Sequence, residues 1–223
     1  MKSKYIVLIP ARGGSKRLPG KNIMDLNGLP LIAHSIVYAK KVMPEVPVYV
    51  STDSEEIAAV AQRYGAEVID RPVELGGDFV TTAAVTKQVT QQLFTSGLDF
   101  DYMILLQATN PLRPDSLLEE ATGIIEREQC KSLFTVTKLI KKLGKIKSNK
   151  FLPENYYFGQ RSQDLEPLFF ENGLLYITHR DLLLDEVIFN EQSYPLIVDD
   201  IRGEVDIDSI DDFRLAEFYI KNI

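Results

Sequence analysis

A short stretch near the N-terminus concentrates the residues best suited to bind a polyphosphate. It reads Ala-Arg-Gly-Gly-Ser-Lys-Arg-Leu-Pro-Gly-Lys-Asn over residues 11–22. Gly13 and Gly14 allow a tight backbone turn and present N–H groups to an anion without interference from a Cβ atom. Four positively charged side chains lie within ten positions: Arg12, Lys16, Arg17 and Lys21. The stretch therefore predicts a binding site for a highly charged anion.

This pattern of charge favours a nucleoside triphosphate. The Arg12 guanidinium is able to fork onto phosphate oxygens, whereas Lys16 and Lys21 act as point charges. A triphosphate needs this combination, because its charge must be offset while the α-phosphorus stays open to attack. The alternative is a solvated basic surface loop, which the glycines and the position directly after a predicted strand disfavour. The spacing matches neither Gly-x-Gly-x-x-Gly nor Gly-x-x-x-x-Gly-Lys-Ser/Thr, so dinucleotide-fold and P-loop sites are excluded.

Two aspartates near the C-terminus form a second candidate site. Asp206 and Asp208 are two positions apart in a strand-like run that begins at Glu204, so their carboxylates should point to the same face. Paired carboxylates are hard oxygen ligands that suit Mg²⁺ or Mn²⁺, and such an ion bridges nucleotide phosphates. The alternative is that they cap the helix predicted to begin at Ser209. The residues alone leave both interpretations open.

The elements that must position these residues alternate between strands and helices. The predicted strands are Tyr5–Ile9, Val46–Val50, Glu67–Ile69, Tyr102–Leu106, Ser132–Val136, Asn172–Ile177, Leu196–Val198 and Glu204–Ile207. The predicted helices are Leu29–Lys41, the segment from Ser54 to Gly65, Thr81–Phe94, Pro114–Gln129 and Ser209–Ile220. This order predicts an α/β fold with a doubly wound, mostly parallel, mixed sheet of Rossmann-like type. Ligands bind beyond the carboxyl ends of such strands, so the loops at Ala11, Thr52 and Gln107 should converge on one site.

The alternation is interrupted between residues 138 and 172. The part from Lys138 to Gln163 is charged and aromatic, with adjacent tyrosines at 156 and 157, and it reads as an inserted hairpin arm. Such an arm cannot easily bury its aromatic side chains within one subunit. We therefore expect residues 1–223 to form a single domain whose arm packs on a second copy in a homodimer. The alternative is a flexible flap.

The bulk composition excludes several classes of protein. Of the 223 residues, 45% are hydrophobic and 26% are charged, which is ordinary for a folded cytosolic protein. The net charge of −7 disfavours nucleic acid as a partner, because binding a phosphate backbone needs a broad basic face. The apolar run Tyr5–Ile9 is too short for a signal segment or a membrane span. The single cysteine, Cys130, excludes an internal disulfide. We expect a cytoplasmic protein with no membrane partner.

Several sequence blocks together resemble the acylneuraminate cytidylyltransferases. The blocks are residues 10–22, Ser51-Thr52-Asp53, Arg71-Pro72 with Asp78 and Thr82, residues 106–113, Asn172-Gly173 and residues 205–208. They keep the family's order and span nearly the whole chain, and the first and fourth are the most specific. The resemblance implies the nucleotide-diphospho-sugar transferase fold. It also implies an enzyme that transfers CMP from CTP to the anomeric hydroxyl of a sialic acid or related nine-carbon 2-keto acid sugar, releasing pyrophosphate.

The same resemblance assigns roles to individual residues. Arg12, Lys16 and Lys21 would stabilise the departing pyrophosphate, and Asp206 and Asp208 would hold Mg²⁺ or Mn²⁺, with Asp206 also helping to deprotonate the anomeric hydroxyl. Contacts to the substrates are implied for a further set: Ala11, Asn22, Arg71, Thr82, Gln107 and Lys145. Of these, Arg71 and Thr82 would surround the cytidine, Gln107 would contact the acceptor sugar, and Lys145 would lie near the active site of the neighbouring subunit. For Arg113 we favour a structural role.

The chain departs from the family pattern at two positions. Ser162 and Phe170 stand where the family commonly has arginines, and each loss removes a bidentate partner for an anion. The departure bears on the acceptor, so legionaminic, pseudaminic or deaminated neuraminic acid is an alternative to N-acetylneuraminate. The nearest rival enzyme activates 3-deoxy-manno-octulosonate, and a rival of another class is a non-catalytic nucleotide-binding module.

Overall fold

The computed structural model describes residues 2–77 and 79–222, so Asp78 of the third sequence block lies outside the described residues. In this part of the chain there are eleven strands and six α-helices. The strands are β1 (Lys2–Pro10), β2 (Asp25–Leu26), β3 (Leu29–Pro30), β4 (Val48–Thr52), β5 (Glu67–Asp70), β6 (Asp99–Leu105), β7 (Ser132–Leu139), β8 (Gly144–Lys147), β9 (Lys150–Pro153), β10 (Leu168–His179) and β11 (Tyr194–Ile197). The helices are α1 (Leu31–Val42), α2 (Glu55–Arg63), α3 (Thr82–Thr95), α4 (Leu117–Glu128), α5 (Arg180–Leu184) and α6 (Ile210–Asn222).

Seven strands form one mixed sheet in the order β11-β7-β10-β6-β1-β4-β5. The pairs among β6, β1, β4 and β5 are parallel, and so is the pair of β11 with β7. Strand β10 runs antiparallel to both of its neighbours. The predicted doubly wound, mostly parallel sheet is therefore confirmed.

Both faces of the sheet are covered, which explains the continuous apolar composition of β1. Val7 and Ile9 belong to a core that includes α1, α2 and α4, whereas Ile6 and Leu8 belong to a core that includes α3 and α5. All four side chains are fully buried. Alternate residues of a strand point to opposite faces, so a strand with helices on both sides must be apolar at every position.

The parallel strands end at the same level, and this brings their loops together. Pro10 at the end of β1 is paired with Ser51 of β4, and Leu8 is paired with Leu105 at the end of β6. The loops that follow β1, β4 and β6 therefore leave the same edge of the sheet. The convergence predicted for the loops at Ala11, Thr52 and Gln107 follows from this register.

A buried arginine joins the loop after β6 to its surroundings. The Arg113 guanidinium donates hydrogen bonds to the carbonyl of Leu174 at 2.6 Å, to Ser35 Oγ at 2.9 Å and to the carbonyl of Gln107 at 2.7 Å. Its burial lowers its pKa to about 10, and it lies over the ring of Tyr38. These contacts fit the structural role that the sequence predicts for Arg113.

A second buried junction forms where β10 bulges. Asn110 Nδ2 donates to the carbonyls of Asn172 and Val205, both at 3.0 Å. Gly173 has a φ of 74°, and a Cβ atom there would lie 2.9 Å from Asn110 Oδ1. The Asn172-Gly173 block thus permits the close approach that fixes the loop after β6 and the segment before Asp206 relative to each other.

The inserted arm is shorter than the predicted interval 138–172. Strand β7 continues to Leu139 and β10 begins at Leu168, and these two residues are paired in the central sheet. The arm proper is residues 140–167, and it contains the antiparallel hairpin of β8 and β9. The arm is therefore narrower than the predicted interval, because Lys138 and Leu139 belong to β7 and residues 168–172 belong to β10.

The prediction of a strand over Glu204–Ile207 is wrong. Residues Ile201–Glu204 form a 3-10 helix, and the chain continues to Ile207 without pairing in a sheet. Val205 and Ile207 are nevertheless buried against α6, which produces the alternating pattern of a strand without its hydrogen bonds. Among the described residues, no helix combines the length and apolar character needed to cross a membrane.

The Arg113 junction makes a prediction about stability. We expect Arg113→Ala to lower the free energy of unfolding by about 3 kcal/mol, because it leaves the buried carbonyls of Gln107 and Leu174 without donors. Urea denaturation followed by circular dichroism measures the change. The matched control is Arg127→Ala on the exposed face of α4, which should change stability by less than about 0.5 kcal/mol. Equal effects of the two changes would contradict the structural role of Arg113.

Candidate active site

A cleft of about 540 Å³ opens at the carboxyl edge of the sheet, where the loops after β1, β5 and β6 meet the segment before α6. It is lined by most of the residues that the sequence predicted for the site: Ala11, Arg12, Lys16, Lys21, Asn22, Arg71, Thr82, Gln107 and Asp208. Arg17, the remaining cation of the basic loop, lines it as well. The fold therefore brings residues separated by nearly 200 positions into one cavity of a size suited to a nucleotide.

The basic loop, residues 11–22, is held by its own polar groups. Asn22 is buried, and its Nδ2 donates to the carbonyl of Arg12 at 3.0 Å. The N–H of Gly13 donates to Asp53 Oδ1 at 2.8 Å, and that of Ala11 donates to the carbonyl of Ser51 at 2.9 Å. These two N–H groups are thus committed to the protein, so the N–H of Ala11 is not left to contact a base.

Asp208 lies at the centre of the charged wall of the cleft. Lys21 Nζ donates to Asp208 Oδ1 at 2.9 Å and to the carbonyl of Ile207 at 2.8 Å. Arg17 Nη1 lies 3.0 Å from Asp208 Oδ2. The Lys21 side chain is only 12% exposed, so this pairing fixes its ammonium group beside the aspartate. The basic loop and the C-terminal carboxylates therefore form one electrostatic unit.

Asp206 experiences an unfavourable environment for its negative charge. Its pKa is raised, chiefly by desolvation and further by repulsion from Asp208, while a hydrogen bond from Thr109 partly offsets the rise. A divalent cation between the two carboxylates would relieve this repulsion, so the donor set fits Mg²⁺. Residues 2–77 and 79–222 contain no cluster of three or more acidic, histidine or cysteine side chains able to hold a metal. Phosphate oxygens and water would therefore have to complete the coordination.

The alternative capping role for Asp206 and Asp208 is taken by other residues. Asp212 Oδ2 accepts the N–H groups of Ser209 at 2.8 Å and of Asp208 at 3.1 Å, and Ser209 Oγ accepts the N–H of Asp212 at 3.3 Å. This is the reciprocal arrangement of a capping box at the start of α6. The carboxylates of Asp206 and Asp208 are not part of it.

The opposite wall of the cleft comes from the loop between β5 and α3. Arg71 is buried, donates to the carbonyl of Ser51 at 2.8 Å, and has its pKa lowered by that burial. Thr82 is the first residue of α3. Sequence reasoning did not identify Leu75, Gly77 or Phe79, which also line this wall. The adjacent glycines at 76 and 77 were the available signal.

A polar chain that sequence reasoning did not identify extends inward from Gln107, which lines the cleft. Gln107 Nε2 donates to the hydroxyl of Tyr176 at 3.4 Å, and that hydroxyl donates to the carboxylate of Glu171. Desolvation by burial raises the pKa of Tyr176, and the hydrogen bond to Glu171 raises it further. The Tyr176 ring stacks on Phe189 with centroids 5.8 Å apart. From the sequence, Tyr176 resembled an ordinary core residue because it lies in the apolar stretch 174–177.

Lys145 lies outside this cleft. It is on β8 of the arm, where its ammonium group is paired with the carboxylate of Glu154. The chain thus does not bring Lys145 to its own site. Ser162 lies in a short 3-10 helix of the arm, and Phe170 is half-buried on β10 directly before Glu171.

Comparison with known proteins identifies relatives over the full length of the chain. A family model described as cytidylyltransferase matches residues 6–216. The pseudaminic acid cytidylyltransferase of Campylobacter jejuni is 33% identical, over 98% of this chain and 97% of its own. The CMP-N,N'-diacetyllegionaminic acid synthase of Legionella pneumophila is 36% identical, over 96% of this chain and 95% of its own.

The fold is likewise shared with a solved nucleotidyltransferase. A structure of CMP:2-keto-3-deoxy-manno-octonic acid synthetase complexed with CTP matches with a TM-score of 0.69 at 17% identity, over 98% of this chain and 99% of its own. At this identity the likeness concerns the fold alone. The sequence relatives and the family model go further, and with them the chain belongs to the cytidylyltransferase family, whose members are CTP-dependent nucleotidyltransferases.

Proposed function

We propose that this enzyme transfers CMP from CTP to the anomeric hydroxyl of an acidic nine-carbon 2-keto sugar and releases pyrophosphate. The observation that carries the proposal is the contact between Lys21 and Asp208 at 2.9 Å. It joins the basic loop to Asp208, which lines a cleft of nucleotide size, and Asp206 lies near enough to Asp208 for their charges to interact. One wall thus offers cations for the triphosphate, and beside it lie hard oxygen ligands for its counter-ion.

The charges of the cleft suit attack at the α-phosphorus. In the proposed reaction the C2 hydroxyl of the sugar attacks the α-phosphorus in line, and the bond to the pyrophosphate breaks. Arg12 and Lys16 offset the charge that develops on the departing pyrophosphate, and Lys21 does so from its position beside Asp208. These groups are held by the sheet edge, so little reorganisation is needed when the charge develops.

Asp206 and Asp208 are the proposed ligands of Mg²⁺, with Mn²⁺ as an alternative. The ion, when bound, polarises the phosphates and neutralises part of their charge. The raised pKa of Asp206 also suits a group that accepts a proton from the attacking hydroxyl. Neither carboxylate is needed to cap α6. Asp208 pairs with Lys21 and Arg17, so an ion bound there would share this carboxylate with the two cations.

The polar chain beside Gln107 suggests how the acceptor is bound. The Tyr176 hydroxyl donates a hydrogen bond to Glu171, so its oxygen accepts the hydrogen bond that Gln107 Nε2 donates. Gln107 Oε1 is then left to accept a hydrogen bond from a hydroxyl or N–H group of the sugar. The relatives named for pseudaminic and diacetyllegionaminic acid favour an acceptor of this type over N-acetylneuraminate.

A direct assay tests the proposed function. The enzyme with CTP and Mg²⁺ should release pyrophosphate when given pseudaminic or legionaminic acid, and less when given N-acetylneuraminate or 3-deoxy-manno-octulosonate. Offering the acceptors in competition ranks them by kcat/KM. Release with the eight-carbon sugar alone would favour the rival enzyme. CTP binding without turnover of any sugar, by protein shown to be folded, would favour a non-catalytic module.

The carboxylate pair makes a second prediction. We expect Asp208→Asn to lower kcat by about 10²- to 10³-fold, the usual effect of removing an electrostatic stabiliser of the transition state. Titration with Mg²⁺ should also show weaker activation of the variant. The matched control is Asp211→Asn, three positions away on the exposed start of α6, where Asp211 forms an exposed salt bridge with Arg214. An equal loss in both variants would refute a specific role for Asp208.

The arm, residues 140–167, supports the proposal of a homodimer. Its apolar side chains are largely exposed in the single chain, with Ile146 at 79%, Tyr157 at 70% and Phe158 at 71%. Exposed apolar patches of this kind are typical of interaction surfaces. A partner seated there would also bring the arm's Lys145 near the second subunit, which is how this residue could approach a site.

Sedimentation tests the dimer. The wild-type chain should sediment as a dimer at micromolar concentration, and the double change Ile146→Glu with Phe158→Glu should yield a folded monomer, because it places charge in the apolar contact. A matched control replaces exposed polar residues of the arm, as in Lys147→Glu with Lys150→Glu. A wild-type monomer would instead support a flexible flap.

A further inference from the structure

Asp53 occupies a position between the two walls of the cleft, and no step of the proposed reaction uses it. It directly follows β4, at the edge of the sheet from which the basic loop also departs. Its Oδ1 accepts the N–H of Gly13 at 2.8 Å. One of the two glycines of the basic loop is therefore anchored by a carboxylate that the chain itself supplies.

The second oxygen of Asp53 faces the opposite wall. A Cβ atom at residue 76 would come within 2.7 Å of Asp53 Oδ2, closer than van der Waals contact permits. The φ of Gly76 is −85°, a value open to any residue. A side chain at residue 76 would thus meet no conformational barrier but would have to displace the Asp53 carboxylate, which occupies the space beside Gly76.

The charge of Asp53 is unhelpful to a triphosphate site. The carboxylate interacts electrostatically with Arg71, which lines the cleft, and it lies beside the basic loop. A negative charge in this position repels an incoming polyanion. Its benefit must therefore come from the geometry it imposes on the two loops.

We propose that Asp53 is a positioning residue of the nucleotide site, which holds the basic loop through Gly13 and the segment 73–77 through its packing on Gly76. The two walls are thereby kept at a fixed separation across the cleft. This inference rests on the proposed function and adds a residue that acts through the loops and touches no reacting atom. It also implies that the phosphates are bound by groups of the loop other than the N–H of Gly13.

Two substitutions at Asp53 separate geometry from charge. Asp53→Ala removes both the hydrogen bond and the charge, whereas Asp53→Asn removes the charge and keeps an oxygen that accepts from Gly13. We expect Asp53→Ala to raise the KM for CTP about tenfold, as for loss of a hydrogen bond to a charged group. We expect kcat to fall far less, and Asp53→Asn to restore a KM near the wild-type value. If charge alone mattered, both variants would instead lower the KM, and that result would overturn the inference.

Gly76→Ala perturbs the same carboxylate without changing residue 53. The added methyl group should displace Asp53 Oδ2 and raise the KM for CTP in the same direction as Asp53→Ala, by a smaller factor. The matched control is Glu74→Ala, which removes an exposed carboxylate of the same segment and should leave the KM unchanged. A Gly76→Ala variant with the wild-type KM for CTP would contradict the proposed positioning role of Asp53.

Amide hydrogen exchange without nucleotide keeps this test independent of the proposed function. Asp53→Ala should speed exchange in residues 12–16 and 73–77, and Asp53→Asn should not. Unchanged exchange in the alanine variant would refute the positioning role, even if the enzyme is active. If the wild-type protein fails to bind CTP, the proposed function fails, while the exchange result still decides the role of Asp53.

Discussion

The need to satisfy buried polar groups at the carboxyl edge of the sheet governs how this site is built. Arg113 serves the carbonyls of Gln107 and Leu174, and Asn110 serves those of Asn172 and Val205. Leu174, Asn172 and Val205 are buried, so an arrangement that left one of their carbonyls unpaired would cost the desolvation of that group. The loop after β6, the bulge in β10 and the segment before Asp206 are therefore restricted to one mutual arrangement. Arg113 and Asn110 thereby fix the loops that carry the proposed substrate contacts.

The cations of the cleft lie beside carboxylates that offset their mutual repulsion. A chain with a net charge of −7 gathers four cations in ten residues, and these would repel one another without nearby carboxylates. Asp208 compensates Arg17 and Lys21, and Asp53 fixes the turn at Gly13. For Asp206 the hydrogen bond from Thr109 and the attraction to Lys21 do not offset desolvation and the repulsion from Asp208, so its pKa is raised. A bound cation would relieve this repulsion.

The sequence predicted those features of the fold and site that depend on local patterns. Strands buried on both faces are apolar at every position, so β1 and its neighbours were identified, and the loops at their ends could be placed together. Features that depend on tertiary contacts were not predictable. Tyr176 looked like a core residue because its hydroxyl partners, Gln107 and Glu171, are distant or on the far side of a bulge. The run Glu204–Ile207 imitated a strand, since packing against α6 buries alternate residues without any ladder of hydrogen bonds.

If the cleft binds its substrates as proposed, its triphosphate end and its acceptor end differ in how strongly the fold constrains them. The triphosphate end depends on the sheet edge, the basic loop and a carboxylate joined to it, so a substitution there disturbs several partners at once. The acceptor end depends on a short chain of hydrogen bonds that ends at Glu171, next to Phe170. Relatives 33% and 36% identical to this chain carry names for different acidic sugars, although the family model covers residues 6–216. A hydrogen bond gained or lost in such a pocket discriminates strongly between sugars, so the groups of this short chain are the ones on which acceptor choice would depend. The loop that carries Gln107 is joined through Asn110 to the segment before Asp206, so a substitution there would also act on the carboxylates.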